Sequence, residues 1–156
     1  MDLWVPVIDR FRGEHFFLSN FYPASTPYRG RMFTTSEHAY AAAKTADRDA
    51  IEAICAAQDP AEAKQLGRTA PLVDDWNTRR FVVMDEILTA KFTHNLELAD
   101  KLVATLGTEL VEGNDWHDQT WGSCSCVEHQ HIPGANALGV VLMAVRMRLA
   151  ATSMSD

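Results

Sequence analysis

The chain has 156 residues, of which 47% are hydrophobic and 22% charged, and its formal net charge is −7. This composition is typical of a globular protein, and the acidic balance excludes a general coat protein for DNA or RNA, which needs a basic face to displace counterions. The length predicts one domain with one hydrophobic core. We expect no signal peptide and no membrane span, because no basic segment precedes a long apolar run. Three cysteines, an odd number, then favour reduced thiols in a cytoplasmic protein.

The predicted elements are short extended segments followed by helices. Turn residues and two prolines between residues 16 and 33 favour short strands. Cap residues, a proline at a first helical position and apolar periodicity predict helices over residues 35–46, 48–57, 60–67, 75–94, 96–106 and 138–149. The sequence therefore predicts an α+β, predominantly helical fold with a few short strands. We expect a single compact domain over residues 1–150 and a flexible C-terminal tail over residues 151–156.

Four residues of the first predicted helix share one face: Glu37, Tyr40, Ala41 and Lys44. A carboxylate and an amine on one face can act as general acid and nucleophile if that face lines a cleft. The small Ala41 side chain would leave room for a ligand between them. An alternative for Glu37 alone is a capping box with Thr34 as the N-cap residue. Lys44 alone is also compatible with an ordinary solvated lysine.

The helix over residues 75–94 carries a tryptophan at its start. Trp76 lies about 140° from Phe81 around a regular helix axis, and Phe81 is expected on the core face. Trp76 therefore either covers a secondary apolar cluster or offers its ring for stacking on a base. The residues expected to form the core stripe of this helix are Phe81, Met84, Leu88 and Phe92.

Four polar side chains lie outside the predicted helices. Ser19 and Asn20 stand at the centre of an aromatic stretch and suit a loop that binds a polar ligand, whereas the aromatic side chains around them fill the core. Asp118 occupies a turn, where aspartate is common, but with Glu37 it would supply the two carboxylates that glycoside hydrolysis often uses. Asn136 precedes the last helix and either caps it or binds an anionic or hydroxylated ligand.

A group of cysteines and histidines follows in the segment between residues 107 and 137, which shows no helical or strand periodicity. Irregular segments of this length inside a domain are often functional. Cys124, Cys126, His129 and His131 are of the types that bind zinc. Their spacing is tighter than in the usual structural finger, and no second cysteine pair occurs elsewhere. A zinc-stabilised interaction domain is thus the weaker interpretation. We predict no metal and no cofactor, and metal analysis of the purified protein would decide.

The sequence contains a series of short motifs in a fixed order over residues 16–148. They are Phe17-Leu18-Ser19-Asn20-Phe21, Ser36-Glu37-His38-x-Tyr40-x-x-x-Lys44, Ala63-Lys64-x-x-Gly67-Arg68, Asp75-Trp76, Ala90-Lys91-Phe92, Asp118-x-x-Trp121-Gly122 and Gly134-x-Asn136-x-Leu138-Gly139. In this order and at these separations the motifs resemble the NADAR (NAD- and ADP-ribose-associated) family, also called YbiA-like. The chain departs from the commoner family pattern at residues 123–133, where cysteines and histidines are inserted, and this leaves the local pocket shape open.

The resemblance implies an N-glycosidase that cleaves a bond between a ribose carbon and an amine nitrogen. One substrate class of the family is the ribosylamino-pyrimidine intermediates of riboflavin synthesis. Another is ADP-ribose on guanine in DNA, which some members remove as antitoxins to DarT-type ADP-ribosyltransferases. By position, the expected catalytic residues are Glu37, Lys44 and Asp118. The expected substrate-binding residues are Ser19, Asn20, Phe21, Tyr40, Trp76, Trp121, Gly122 and Asn136.

The chemistry implied for these positions follows from a glycosylamine, which can open to an imine. Lys44 would hold the sugar as a Schiff base, and Glu37 would move the proton. Asp118 would orient the ribose hydroxyls or activate water, and Trp76 would stack on the departing base.

Of the two substrate classes, we expect ADP-ribosyl-guanine, since nothing in the chain suggests a fused flavin-pathway enzyme. The acidic net charge speaks mildly against DNA, but a local basic patch would offset it by contacting phosphates. The candidate residues of that patch are Arg10, Arg12, Arg29 and Arg31. A rival of another class is a non-catalytic module that binds ADP-ribose or NAD derivatives, but such a module would not need Glu37 and Lys44 together.

Overall fold

The computed structural model of the chain describes residues 4–155. In this range lie six α-helices, α1 (Ser36–Ala43), α2 (Arg48–Ala56), α3 (Pro60–Thr69), α4 (Trp76–His94), α5 (Leu96–Val103) and α6 (Ala137–Ser153). The strands are β1 (Val7–Ile8), β2 (Thr26–Tyr28), β3 (Arg31–Phe33), β4 (Glu109–Leu110), β5 (Gly113–Asn114) and β6 (Ser123–Cys124), and a 3-10 helix covers Gly13–Leu18. Each strand has only two or three residues, so the fold is α+β and predominantly helical, as predicted.

Side-chain caps explain where the first three helices begin. Thr35 accepts a hydrogen bond from the His38 amide at the start of α1, and Asp47 and Asp59 cap α2 and α3 in the same way. The predicted capping box of Thr34 and Glu37 is therefore wrong by one residue. Since Thr35 is the N-cap, the third helical residue is His38, and capping does not account for the Glu37 carboxylate.

Residues 20–96 form one structural unit built around α1. Helix α1 packs against α2, α3 and α4, and the antiparallel pair β2–β3 lies beside α1 and α4. All eight residues of α1 are buried. A Cβ atom at Gly67 of α3 would lie only 2.9 Å from the Ala41 Cβ atom. Helix α3 therefore packs directly on Ala41 and leaves no space there. The expectation that Ala41 leaves room for a ligand is therefore wrong.

The buried face of α4 agrees with the predicted one except at Phe81. Phe81 is 39% exposed, whereas Trp76 is 7% exposed and lies in line with the buried Val83 and Ile87. Three members of the predicted core stripe, Met84, Leu88 and Phe92, are buried as predicted, so Phe81 alone was wrongly assigned to it. The buried residues of this helix are Trp76, Val83, Met84, Ile87, Leu88, Lys91 and Phe92.

The second unit combines residues 4–19 with residues 97–155. Strand β1 pairs with β4 in parallel, β5 pairs with β6 in parallel, and α6 packs on β4. Buried Leu102, Leu110, Leu142 and Val145 form its apolar centre. Between α5 and α6 the chain contains only two-residue strands, turns and bends, in agreement with the predicted irregular segment.

The ends of the last two helices differ from the predicted ones. Helix α5 stops at Val103 and turns follow it, whereas α6 continues past Leu149 to Ser153. Residues 151–153 of the predicted tail are thus helical, and Asp156 lies outside the described residues. No helix within residues 4–155 combines the length and the apolar character needed to cross a membrane.

Candidate active site

Glu37 lies at the centre of a charged group formed by α1 and α3. Its side chain is buried, and this burial raises the pKa of the carboxyl to about 7. The cationic side chains of Lys64, Lys44 and Arg68 oppose the rise and are close enough to act on the pKa. Near neutral pH the group is thus divided between the acid and the carboxylate, which is the state that general acid catalysis requires.

Lys44 ends the same helix as a half-buried amine. Burial lowers its pKa, the Glu37 carboxylate raises it, and the cations of Arg68 and Lys64 lower it further. The Nζ atom lies 5.0 Å from the centre of the Tyr40 ring. A lowered pKa increases the fraction of neutral amine, the form that can attack a carbon. Glu37 and Lys44 thus bring a carboxyl with a raised pKa and an amine with a lowered pKa to the same helix.

An aromatic pair lies beside this amine. The rings of Tyr40 and Trp76 have centroids 5.3 Å apart and are tilted by 53°. Both residues are buried, and Trp76 packs against the Tyr40 ring that lies near the Lys44 amine. This contact accounts for the burial of Trp76 at the start of α4. Stacking of the indole on a base stays a prediction.

Asn20 fixes the start of α1 from the preceding loop. Its carbonyl oxygen accepts a hydrogen bond from the Glu37 amide at 3.0 Å, and its Oδ1 atom accepts one from the Ser36 hydroxyl at 2.8 Å. The Nδ2 atom faces the Met84 sulfur at 3.5 Å. The side chain thus positions the helix that carries Glu37. Its predicted role in binding substrate stays untested. Phe21, the next residue, lies with its ring centre 5.8 Å from the Lys64 Nζ atom.

Two cationic side chains near Glu37, those of Lys64 and Arg68, were not predicted as site residues from the sequence. Lys64 and Arg68 stand three residues before and one residue after Gly67, on the helix that crosses α1 at Ala41. The close crossing brings both cations near Glu37, which explains their effect on its pKa. The motif Ala63-Lys64-x-x-Gly67-Arg68 could have indicated this contact, because a glycine between two cations permits a close approach of helices.

Lys91 was also not predicted from the sequence. It is fully buried in α4, and this burial lowers the pKa of its amine to about 7.

A second group of predicted site residues lies in the unit of residues 4–19 and 97–155. The Asp118 Oδ1 atom accepts hydrogen bonds from the amides of Thr120 and Trp121, at 3.1 and 2.9 Å. The Asn114 side chain bonds to both the amide and the carbonyl oxygen of Asp118. The turn around Asp118 is thus held on both sides. Its carboxylate closes a local turn, and its predicted part in catalysis stays a prediction.

Asn136 also belongs to this second group. It is the N-cap residue of α6 with a positive φ of 51°, but its side chain makes no capping hydrogen bond. Instead, its Oδ1 atom accepts a hydrogen bond from the Glu112 amide, and its Nδ2 atom donates one to the Leu110 carbonyl oxygen. Asn136 therefore ties the start of α6 to β4 and the residues after it.

The other predicted substrate-binding residues of this unit form hydrogen bonds through their backbone atoms. The Gly122 carbonyl oxygen accepts a hydrogen bond from the Asn136 amide, and the Trp121 carbonyl oxygen accepts one from the Leu138 amide. Ser19 follows the 3-10 helix, and its amide donates a hydrogen bond to the Phe16 carbonyl oxygen. These bonds place Trp121 and Gly122 directly against the first turn of α6.

The arginines expected to contact phosphates divide between the two units. Arg31 forms an ion pair with Glu52 at 2.6 Å, and Arg29 lies over the Tyr28 ring at 4.9 Å. Arg10 lines a cavity of about 390 Å³ in the other unit, together with residues of the inserted cysteine–histidine segment. None of the predicted catalytic residues lines this cavity. One of the four arginines of the predicted basic patch, Arg31, is therefore already paired with a carboxylate.

Comparison with protein families and curated proteins gives consistent matches. The model of the NADAR domain matches residues 9–150. A riboflavin biosynthesis protein of Vibrio vulnificus is 39% identical over 138 residues, which are 87% of this chain and 36% of that protein. The N-glycosidase YbiA of Escherichia coli is 35% identical over 134 residues, covering 85% of this chain and 80% of YbiA. The chain thus spans about a third of the Vibrio protein but most of YbiA.

A solved structure is similar over the same region. The NMR structure of Escherichia coli YbiA superposes with a TM-score of 0.84 at 30% identity, covering 99% of this chain and 90% of that one. The predicted YbiA-like fold is thereby confirmed. The predicted enzyme class, a hydrolase of N-glycosyl compounds, agrees with the names that the YbiA relatives carry.

Proposed function

The chain belongs to the NADAR family, and on this premise we propose that it hydrolyses the bond between a ribose carbon and an amine nitrogen of a base. The observation that carries the proposal is the pair formed by Glu37 and Lys44. Burial raises the pKa of the carboxyl to about 7, so it keeps a proton near neutral pH, and lowers the pKa of the amine, which increases its neutral fraction. A module that only binds a nucleotide has no need for such a pair.

The proposed reaction begins with Glu37 in its acid form. Its proton passes to the ribose ring oxygen, the bond from that oxygen to C1′ opens, and C1′ becomes an iminium on the base nitrogen. The Lys44 Nζ atom then adds to C1′, and the base leaves as a free amine after taking up the lysine proton. Water adds to the resulting Lys44 iminium and gives one proton back to Glu37, and the sugar then leaves Lys44 as an aldehyde that closes its ring. Lys44 and Glu37 return to their starting states.

We favour ADP-ribose on guanine in DNA as the substrate. Lys64 and Arg68 bring two cations to the Glu37 site, and a diphosphate offers the matching anionic charge. The base would lie against the wall formed by Tyr40 and Trp76. Such a substrate implies a functional link to a DarT-type ADP-ribosyltransferase, the class of enzyme that would produce it.

A second candidate substrate is a ribosylamino-pyrimidine phosphate. The names of two relatives support it, the riboflavin biosynthesis proteins of Vibrio vulnificus and of Zea mays chloroplasts, the latter 33% identical over 86% of this chain and 23% of that protein. The same glycosylamine chemistry applies, and one phosphate would use one of the two cations.

Parallel incubations separate the candidates. The enzyme is mixed with an ADP-ribosylated guanine oligonucleotide or with the ribosylamino-pyrimidine phosphate, and free base and sugar are followed by mass spectrometry. Faster release of ADP-ribose supports the favoured substrate, whereas faster release of the pyrimidine supports the second. Tight binding of either compound without release would support a non-catalytic module instead.

The Schiff base has its own test. Borohydride added during turnover should reduce the iminium and leave the sugar covalently on Lys44, as intact-mass and peptide analysis would show. Lys44→Ala should give no adduct and should lower turnover strongly. Near wild-type turnover by Lys44→Ala, or no adduct with the wild-type chain, would contradict the covalent route.

A further inference from the structure

The segment between β5 and α6 brings four side chains of metal-binding types close together. Their ligand atoms all lie within 4.8 Å of one another. The members of this thiol–imidazole cluster are His117, Cys124, Cys126 and His129. His131, which the sequence pattern suggested as a ligand, is not a member, and His117 takes its place. None of the four belongs to the proposed catalytic pair.

The distances within the cluster fit one tetrahedral ion. Zinc binds nitrogen at about 2.0–2.1 Å and sulfur at about 2.3 Å, which gives tetrahedron edges of about 3.3–3.8 Å. The Nδ1 atoms of His117 and His129 are 3.4 Å apart. The Cys126 Sγ atom lies 3.4 Å from the first of these and 3.2 Å from the second. Two of these distances lie within that range and the third, 3.2 Å, is just below it, so the three ligand atoms lie close to three corners of such a site.

Local backbone structure holds each ligand in place. Cys124 is buried in β6, and the Cys126 amide donates to its sulfur at 3.4 Å, a bond that favours the thiolate. A turn in which the His129 amide donates to the Cys126 carbonyl oxygen brings that imidazole beside the second sulfur. His117 has a positive φ of 69°, an uncommon conformation in which histidine occurs more often than most non-glycine residues.

We propose that the thiol–imidazole cluster binds one zinc ion as a closed structural site. Two thiolates and two imidazoles are a ligand set that selects zinc, and four protein ligands leave no open position for chemistry. The ion joins β6 and the turn of residues 126–129 to His117, the residue directly before Asp118. It thereby fixes the turn around Asp118. This inference does not depend on the proposed N-glycosidase activity.

Metal analysis of the untagged 156-residue chain, purified with a mild reductant and desalted, tests the proposal. We expect about one zinc per chain, as in other closed four-ligand sites. Cys126→Ser and His117→Ala should each lower bound zinc at least about tenfold. The matched controls are His131→Ala, a histidine outside the cluster, and Cys55→Ser, a thiol of the other unit. Both controls should retain zinc.

A wild-type measurement keeps the test decisive even if a variant fails to fold. Cobalt added to the metal-free chain should give the d–d absorption of tetrahedral cobalt together with a thiolate-to-cobalt charge-transfer band. A folded wild-type chain with almost no zinc after expression in zinc-supplemented medium, or an octahedral cobalt spectrum, would overturn the proposal. So would equal zinc loss in His131→Ala and His129→Ala, or a disulfide between Cys124 and Cys126 in the freshly purified reduced protein.

Discussion

At the scale of single residues, the central feature is the Glu37 carboxyl group, which is buried although it does not cap a helix. Glu37 is 7% exposed, and its pKa of about 7 lies well above the value of 4.5 for a free glutamate. A burial of this kind costs folding free energy at neutral pH, which a purely structural position would not require. The position is therefore best explained by its chemistry.

This cost leads to a pH-dependent prediction for stability. Between about pH 4.5 and 7 the folded chain keeps the Glu37 proton while the unfolded chain loses it, so the contribution of this proton falls as pH rises. Glu37→Gln removes the effect. The variant should gain up to about 3 kcal/mol relative to wild type between pH 4.5 and 7.5. Urea unfolding at both pH values measures this change. An unchanged difference between the two proteins would show that Glu37 is not buried as described.

The same groups predict the pH dependence of catalysis. Glu37 must carry its proton, and the fraction that does so falls above about pH 7, which limits kcat/KM on the alkaline side. Lys44 must be neutral to attack, so the rate should also fall on the acid side. The result is a bell-shaped profile whose apparent pKa values belong to the coupled pair. A rate that rises steadily from about pH 5 to 9 would contradict the role of Glu37 as the acid.

At the scale of elements, the close contact of α1 with α3 builds the charged site. Ala41 and Gly67 let the two helices approach, and this approach delivers Lys64 and Arg68 to Glu37. The role of the alanines in α1 is thus helix packing, and the polar side chains of α1 gain their setting from α3.

A larger side chain at Ala41 tests this contact. Ala41→Leu should destabilise the chain by about 1–3 kcal/mol, since the Ala41 side chain is fully buried against Gly67. Ala61→Leu, at an exposed position of α3, should change the free energy of unfolding by less than about 0.5 kcal/mol. Denaturant unfolding measures both. Full stability of Ala41→Leu with reduced turnover would instead place Ala41 on an open wall of the site.

The elements also show what a sequence can predict. The start of α3 at Asp59 follows from local cap chemistry and agrees with the structure, whereas Asp75 precedes α4 without a side-chain capping hydrogen bond. The cap of α1 was misplaced because two threonines stand side by side, and hydrogen bonding alone selects Thr35.

Other features depend on contacts that the sequence does not display. Phe81 is a large apolar residue of the type usually found in a core, but the packing of α4 leaves it 39% exposed. Lys64, Arg68 and His117 join their clusters through a helix crossing or a left-handed turn. Glu37 and Lys44 could be predicted as a pair because helical spacing alone aligns them.

At the scale of the whole molecule, the proposed zinc ion is expected to contribute to global stability. A ligand that binds only the folded state raises Tm according to its concentration relative to Kd. Removal of zinc with a strong chelator should lower Tm by at least about 5 °C. His131→Ala should respond as the wild type does, whereas Cys126→Ser should show a low Tm that the chelator does not change. Differential scanning calorimetry compares the three. Equal Tm values with and without chelator would show that the segment folds without metal.

The measurement that tests the central claim most directly is base release by the wild type, by Glu37→Gln and by the control Glu97→Gln. Glu97 is an exposed carboxylate in the first turn of α5. With the better of the two substrates at pH 7, we expect Glu37→Gln to lose at least about 100-fold in kcat while circular dichroism stays unchanged. Glu97→Gln should react at the wild-type rate. Wild-type turnover by Glu37→Gln, or cleavage of neither substrate by the folded wild-type chain, would contradict the account.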